Sequence, residues 1–179
     1  GDVVGIYMGM VPELPVAMLA CARIGAPHVV VFGGFSAASL GERLESTGAK
    51  LVITQDEAWR KGAAIPLKQI ADDAVGLAPT VGGMLVLRRT GTDVPMQDGR
   101  DVWWHELVAG QPAECEPEPV EAEHTLFCLH TSGTTAKPKI VVYDHAAYWL
   151  NGLDTLEFLG LTADDRTLEY RSFGWNSAQ

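Results

Sequence analysis

Val3-Val4-Gly5-Ile6-Tyr7-Met8, then Pro12 to Ile24, then His28-Val29-Val30-Val31-Phe32 set the fold of this chain. The first and third stretches are continuous apolar runs of strand length, and the second reads as a helix. Pro12 suits a first helical turn, Glu13 complements the positive end of the helix, and Gly25 stops it. Val16-Ala17-Met18-Leu19-Ala20-Cys21-Ala22 is apolar all round, which predicts a helix covered on every side. Gly33-Gly34 breaks the second strand. Ser36 or Ser39 can cap a second helix, and Ser39 with Glu42 has capping-box spacing. Leu40 and Leu44 share a face of it, Gly48 ends it, and Leu51-Val52-Ile53-Thr54 is a third strand. Strand, helix, strand, helix, strand with short links predicts parallel pairing and right-handed crossovers. Strands apolar on both faces predict a sheet covered from both sides. The fold class expected is therefore α/β, an open and mostly parallel sheet with flanking helices.

Beyond residue 55 the pattern continues less clearly. Leu67 to Val75 reads as a helix, Met84 to Leu87 as a strand, and Val102 to Val108 as a short helix carrying Trp103 and Trp104. Residues 111–123 hold three prolines and five glutamates, which predicts a solvated connector and not a separate domain. Two further strands are expected at Leu126-Phe127-Cys128-Leu129 and Ile140-Val141-Val142, both buried. His145 to Phe158 reads as a helix and Thr167 to Tyr170 as a strand. The chain enters a strand almost at its first residue and stops after an aromatic-rich stretch, so residues 1–179 are expected to be a piece of a longer protein.

With 47% hydrophobic and 20% charged residues the composition is that of a globular domain. A net charge of −10 disfavours nucleic acid or an anionic membrane as partner, while leaving room for an anionic small ligand at a local site. Cys21, Cys115 and Cys128 form no C-x-x-C pair, and the first and last lie in apolar runs, which fits small core residues and a reducing, cytoplasmic setting. No secretory-signal pattern and no apolar span long enough to cross a bilayer is legible. The five histidines show no metal-ligand spacing; His130, directly before the loop considered next, is expected to pack structurally.

Between the strands at 126–129 and 140–142 lies Thr131-Ser132-Gly133-Thr134-Thr135-Ala136-Lys137-Pro138-Lys139. Hydroxyls and free backbone N–H groups can donate to phosphate oxygens, and lysine adds a point charge. A plain turn has the same composition, but here all nine positions suit anion binding or a rigid turn. It is not a G-x-x-x-x-G-K-[ST] loop, since Ile140 follows Lys139, so an ordinary P-loop kinase or ATPase is disfavoured.

This loop resembles the phosphate-binding signature of adenylate-forming enzymes, the group of acyl-CoA synthetases, peptide-synthetase adenylation domains and luciferases. The match lies at Thr131 to Thr135, Pro138 and Lys139; Ala136 and Ile140 stand where that family usually has glycine. Upstream, Ala17 to His28, Val31-Phe32-Gly33-Gly34-Phe35-Ser36, Ile65-Pro66-Leu67-Lys68, Leu87 to Gly91 and Gly99 to His105 are similar to acetyl- and propionyl-CoA synthetases. The closing Tyr170 to Ser177 is less like an acetate enzyme and points to another small carboxylic acid.

The resemblance implies a partial N-terminal domain of an AMP-forming acyl-CoA synthetase, without the C-terminal domain. In that family a carboxylate attacks the α-phosphorus of ATP to give acyl-adenylate and pyrophosphate, and the thiol of CoA then displaces AMP. By the same resemblance Thr131, Ser132, Gly133, Thr134, Thr135, Ala136 and Lys137 would hold ATP phosphates, with Lys139 and Thr134 closest to the chemistry. A magnesium ion (Mg2+) would accompany ATP, with no ligand set legible here. Phe32, Gly33, Gly34 and Arg60 would meet CoA; Ala63 stands where related synthetases have a second arginine, so CoA contact there can rest on Lys61. Trp175 would cap a short acyl chain, with Ser177 beside the acyl group and thiol. Residues 1–179 alone are expected to be inactive. An adenylation enzyme with another acceptor, such as a carrier-protein thiol, and a non-catalytic nucleotide-binding module on the same fold remain as alternatives.

Overall fold

The structure, a computed structural model, describes residues 1–131 and 138–167. Among these residues nine strands form: β1 (Val4–Ile6), β2 (His28–Val30), β3 (Leu51–Gln55), β4 (Ala58–Arg60), β5 (Ala63–Ile65), β6 (Gly83–Leu87), β7 (Asp101–Trp103), β8 (Thr125–His130) and β9 (Ile140–Asp144). Seven make one sheet in the order β7-β6-β3-β1-β2-β8-β9, while β4 and β5 form a separate hairpin. Within the large sheet every neighbouring pair is parallel except β8 with β9.

Among the described residues four helices connect these strands, α1 (Glu13–Arg23), α2 (Ala37–Thr47), α3 (Leu67–Val75) and α4 (Trp104–Ala109), and a fifth, α5 (His145–Leu159), follows β9. Alternate strand residues feed two cores, as the two-residue side-chain period requires. Val29, Val52 and Val86 point to the face where Leu40 and Leu44 of α2 and Ala71 and Ala74 of α3 are buried. Val30, Ile53 and Leu85 point to the opposite face, against Leu14, Ala17 and Cys21 of α1. The expected open α/β sheet with helices on both sides is what forms.

The second helix is capped by Ser36, whose hydroxyl accepts from the Ser39 amide at 3.3 Å, and ends in left-handed Gly48. Three expectations need correction. The α1 helix is not covered all round: Leu14, Ala17 and Cys21 form its buried stripe, and Val16 and Leu19 stand exposed on the far side. The spacing of the buried residues is that of one helical face. Val102 to Val108 is not one helix, because Asp101–Trp103 pairs with β6 as an edge strand before α4 begins at Trp104. β9 is not buried: Ile140, Val141 and Val142 are exposed, and among the described residues β9 is the last strand of the sheet and pairs with β8 alone. The expected strand from Thr167 falls outside the described residues but for Thr167 itself, which is in no regular element.

A charged cluster locks the β6–β7 connection onto α3. Lys68, 1% exposed, donates to Asp72 at 2.7 Å and to the Pro95 carbonyl at 2.9 Å, and pairs with Asp101 at 3.0 Å. Arg100 closes the ring by pairing with Asp72 and Asp101. Burial pushes the Asp101 carboxyl up, but Arg100, the Gln97 amide and Lys68 hold it below the usual carboxylate range.

Candidate functional site at the carboxyl edge of the sheet

β1, β2, β3 and β8 run parallel, so Met8, Phe32, Asp56 and Thr131 leave the sheet at one edge. The chain after β1 goes to α1 on one face, whereas the chains after β2 and β3 lead to α2 and α3 on the other. Such a divergence opens a crevice at strand carboxyl ends, where open α/β sheets bind ligands. A cleft of about 220 Å³ lies there, lined by Met8, Gly9 and Met10 after β1, Phe32 and Gly33 after β2, and Ala58, Trp59, Arg60 and Ile65 of the β4–β5 hairpin.

Residues singled out in the sequence for CoA thus converge. Phe32 to Phe35 is a β-turn closed by the Phe35 amide donating to the Phe32 carbonyl at 3.0 Å. Its far end is anchored by the buried Tyr7 hydroxyl, which donates to the Phe35 carbonyl at 2.7 Å; burial pushes that phenol up to about 12, so it stays a donor. Gly34 is needed for space. A Cβ there would sit 2.6 Å from the Phe32 ring and against the Arg60 guanidinium. Arg60 is exposed and lies 4.7 Å from the centroid of the Phe32 ring, while Phe35 meets that ring edge-on at 5.7 Å. An exposed guanidinium resting on an aromatic ring can pair with phosphate and shares the ring face with a planar base.

The hairpin carrying Arg60 was not legible in the sequence. Its turn is Lys61-Gly62, with φ of 51° and 78°, and two positive φ values are what a two-residue type I′ turn demands. A Lys-Gly pair between two three-residue runs rich in alanine is a weak signal. Trp59, 69% exposed and lining the cleft, was likewise missed; an unburied Trp beside Arg60 was the available clue. Lys61 and Ala63 are both exposed at the hairpin end.

The start of the hairpin is held by Asp56, which is fully buried. Its carboxylate accepts from the amides of Glu57 (2.7 Å), Arg89 (2.9 Å), Thr90 (3.0 Å) and Gly91 (2.8 Å). Burial pushes this carboxyl up, and the four backbone donors outweigh it and hold it below its usual value.

The second element of the edge is the β8–β9 connection. Thr131 and Lys139 pinch its base: the Thr131 amide donates to the Lys139 carbonyl at 2.9 Å, and the Lys139 amide to the Thr131 hydroxyl at 3.1 Å. Both residues are exposed. Ser132, Gly133, Thr134, Thr135, Ala136 and Lys137 lie outside the described residues, as do Trp175 and Ser177. Ile140 begins β9 opposite His130, a position that suits a β-branched side chain. His130 is half-buried, with its Nε2 3.1 Å from the Ser46 hydroxyl of α2. Burial and the nearby Arg43 charge lower it to about 4. Among the described residues no three His, Cys, Asp or Glu side chains are grouped to hold a metal ion, and no helix is long and apolar enough to cross a membrane.

A mostly parallel sheet with helices on both faces and a cleft at its carboxyl edge defines an open α/β protein. The chain belongs to the AMP-binding enzyme family, whose model matches residues 1–179. It is 55% identical over 159 residues to an acetyl-coenzyme A synthetase of Rhodopirellula baltica, covering 89% of this chain and 24% of that protein. It is 48% identical over 165 residues to an acetyl-coenzyme A synthetase of Methanothrix soehngenii, covering 92% of this chain and 25% of that one. An acetoacetyl-CoA synthetase from Streptomyces lividans superposes with a TM-score of 0.88 at 28% identity, over 98% of this chain and 27% of that one. The chain therefore spans about a quarter of the length of these relatives.

Proposed function

We propose that residues 1–179 are the N-terminal part of an AMP-forming acyl-CoA synthetase that activates a short carboxylic acid with ATP and transfers it to CoA. The observation that carries the reading is the meeting of Phe32, Gly33 and Arg60 in one cleft, at the edge from which the Thr131–Lys139 connection also leaves. In this reading Arg60 pairs with a phosphate of CoA and Phe32 offers its ring to the adenine, while Gly33 and Gly34 admit the backbone closely. Thr131, Ser132, Gly133, Thr134, Thr135, Ala136 and Lys137 hold the β- and γ-phosphates of ATP, and Lys139 adds positive charge. Displacement at phosphorus needs positioning and charge neutralisation more than covalent help, which hydroxyls, amides and ammonium groups provide. Trp175 and Ser177 border the acyl group. Magnesium is proposed as the nucleotide's companion and not as an ion held by the described residues. Residues 1–179 span about a quarter of the relatives' length, and on this reading they do not turn over alone. A cytoplasmic location fits the substrates.

Carboxylate-dependent exchange of labelled pyrophosphate into ATP, measured on the full-length protein, tests the phosphate loop. Lys137→Ala and Thr134→Ala should each lower the exchange rate at least tenfold. Unchanged exchange in both would remove the loop from the reaction.

A further inference from the structure

Gln55 ends β3 with its side chain 1% exposed, directly beneath the cleft. Its Oε1 accepts from the Gly9 amide at 2.9 Å, and its Nε2 donates to the Glu57 carbonyl at 2.6 Å. The Gly9 amide can only donate and the Glu57 carbonyl can only accept, so the orientation of the carboxamide is fixed by its partners. These partners belong to opposite walls. Gly9 lies in the segment after β1, and Glu57 directly precedes the hairpin with Trp59 and Arg60. The walls nearly touch at their base, where a Cβ on Gly9 would come within 3.3 Å of Ala58.

We propose that Gln55 is a positioning residue for CoA: its carboxamide sets the spacing between the Met8–Met10 wall and the hairpin, and so fixes where Arg60 stands over Phe32. The inference rests on the CoA reading of the cleft. A carboxamide supplies both donor and acceptor at this reach. Gln55→Glu loses the donor and sets a carboxylate oxygen against the Glu57 carbonyl. Gln55→Met keeps the length and volume but takes away the partner of both the Gly9 amide and the Glu57 carbonyl. Gln55→Asn keeps the amide but is one methylene too short to reach both.

The test measures two reactions on the full-length protein, with Arg60→Ala as reference. Acyl-CoA formation gives KM for CoA, and ATP–pyrophosphate exchange reports the half-reaction that does not need CoA. Gln55→Met should raise KM for CoA about tenfold, with exchange changed less than about twofold. Hydrogen exchange should show the Gly9 amide less protected while β1 amides keep their protection. Gln55→Asn should show the same split more weakly, and it carries the test should Gln55→Met fail to fold. If Arg60→Ala raises KM for CoA and the Gln55 variants do not, the positioning role is refuted while the CoA reading stands. If neither position affects KM for CoA, both fall. Equal loss of both reactions would mark Gln55 as structural only and overturn the proposal.

Discussion

The guanidinium of Arg60 rests 4.7 Å from the centre of the Phe32 ring, joining a hairpin that follows β3 to a turn that follows β2. The two residues are 28 apart in sequence and meet only because β2 and β3 flank β1. Gly34 makes the contact possible. Gly34→Val should displace the exposed Arg60 and tilt Phe32, raising KM for CoA several-fold while the melting temperature moves little, since the turn lies at the surface. Steady-state kinetics and thermal unfolding of the same preparation check this.

Asp56 should be among the most sensitive single positions. Asp56→Ala strands four backbone amides that now share one carboxylate, and should cost about 3 kcal/mol. Its pKa is depressed in the fold, so the stabilisation is present above the unfolded value near ~3.9 and is lost as pH falls through the folded value. Denaturant unfolding from pH 7 down to 3 should show a decline at the acid end that is shallower in Asp56→Asn, the remainder belonging to Asp101, His28 and His130.

Lys68 is held between Asp72 and Asp101, the latter with a wholly buried side chain. Lys68→Met should destabilise by about 3 kcal/mol, because a buried carboxylate loses a partner. Urea titration measures it, and a second substitution, Asp101→Leu, should recover part of the loss.

His28 has both ring nitrogens buried with no hydrogen-bond partner among the described residues, and burial lowers its pKa to about 4. The imidazole is therefore neutral in the fold, whereas the unfolded chain takes up a proton below about 6.5. Stability should rise with pH between about 4 and 6.5 and be complete above that window, with His28 contributing about 3 kcal/mol of the change. His28→Leu should be near neutral in stability at pH 7.5 and should flatten this slope; the slope that remains belongs to His130, which is lowered in the same sense. Melting temperatures at pH 5 and 7.5 decide it.

The alternation of Val3–Tyr7, Pro12–Ile24 and His28–Phe32 carried the fold because each buried strand is apolar on both faces and each helix has a stop residue, such as Gly48. The expectation went wrong where position in the sheet, and not local pattern, decides exposure. Ile140-Val141-Val142 has the composition of a buried strand but is exposed, and lies at the sheet edge among the described residues. Val102 and Trp103 join the opposite edge as β7, where pairing to β6 overrides a helical pattern. Phe32, Gly33, Gly34 and Arg60 were legible through resemblance. Gln55, Asp56 and Trp59 were not, since a buried Gln or Asp at a strand end looks like the start of any loop. Only the fold brings Gly9, Glu57 and residues 89–91 to them.

The most direct measurement is the identity of the products made by the full-length protein from ATP, CoA and a panel of short carboxylic acids, separated chromatographically. Stoichiometric AMP, pyrophosphate and acyl-CoA with at least one of the acids is the result expected. ADP and phosphate in place of AMP and pyrophosphate, or AMP with CoA left unacylated across the panel, would contradict it.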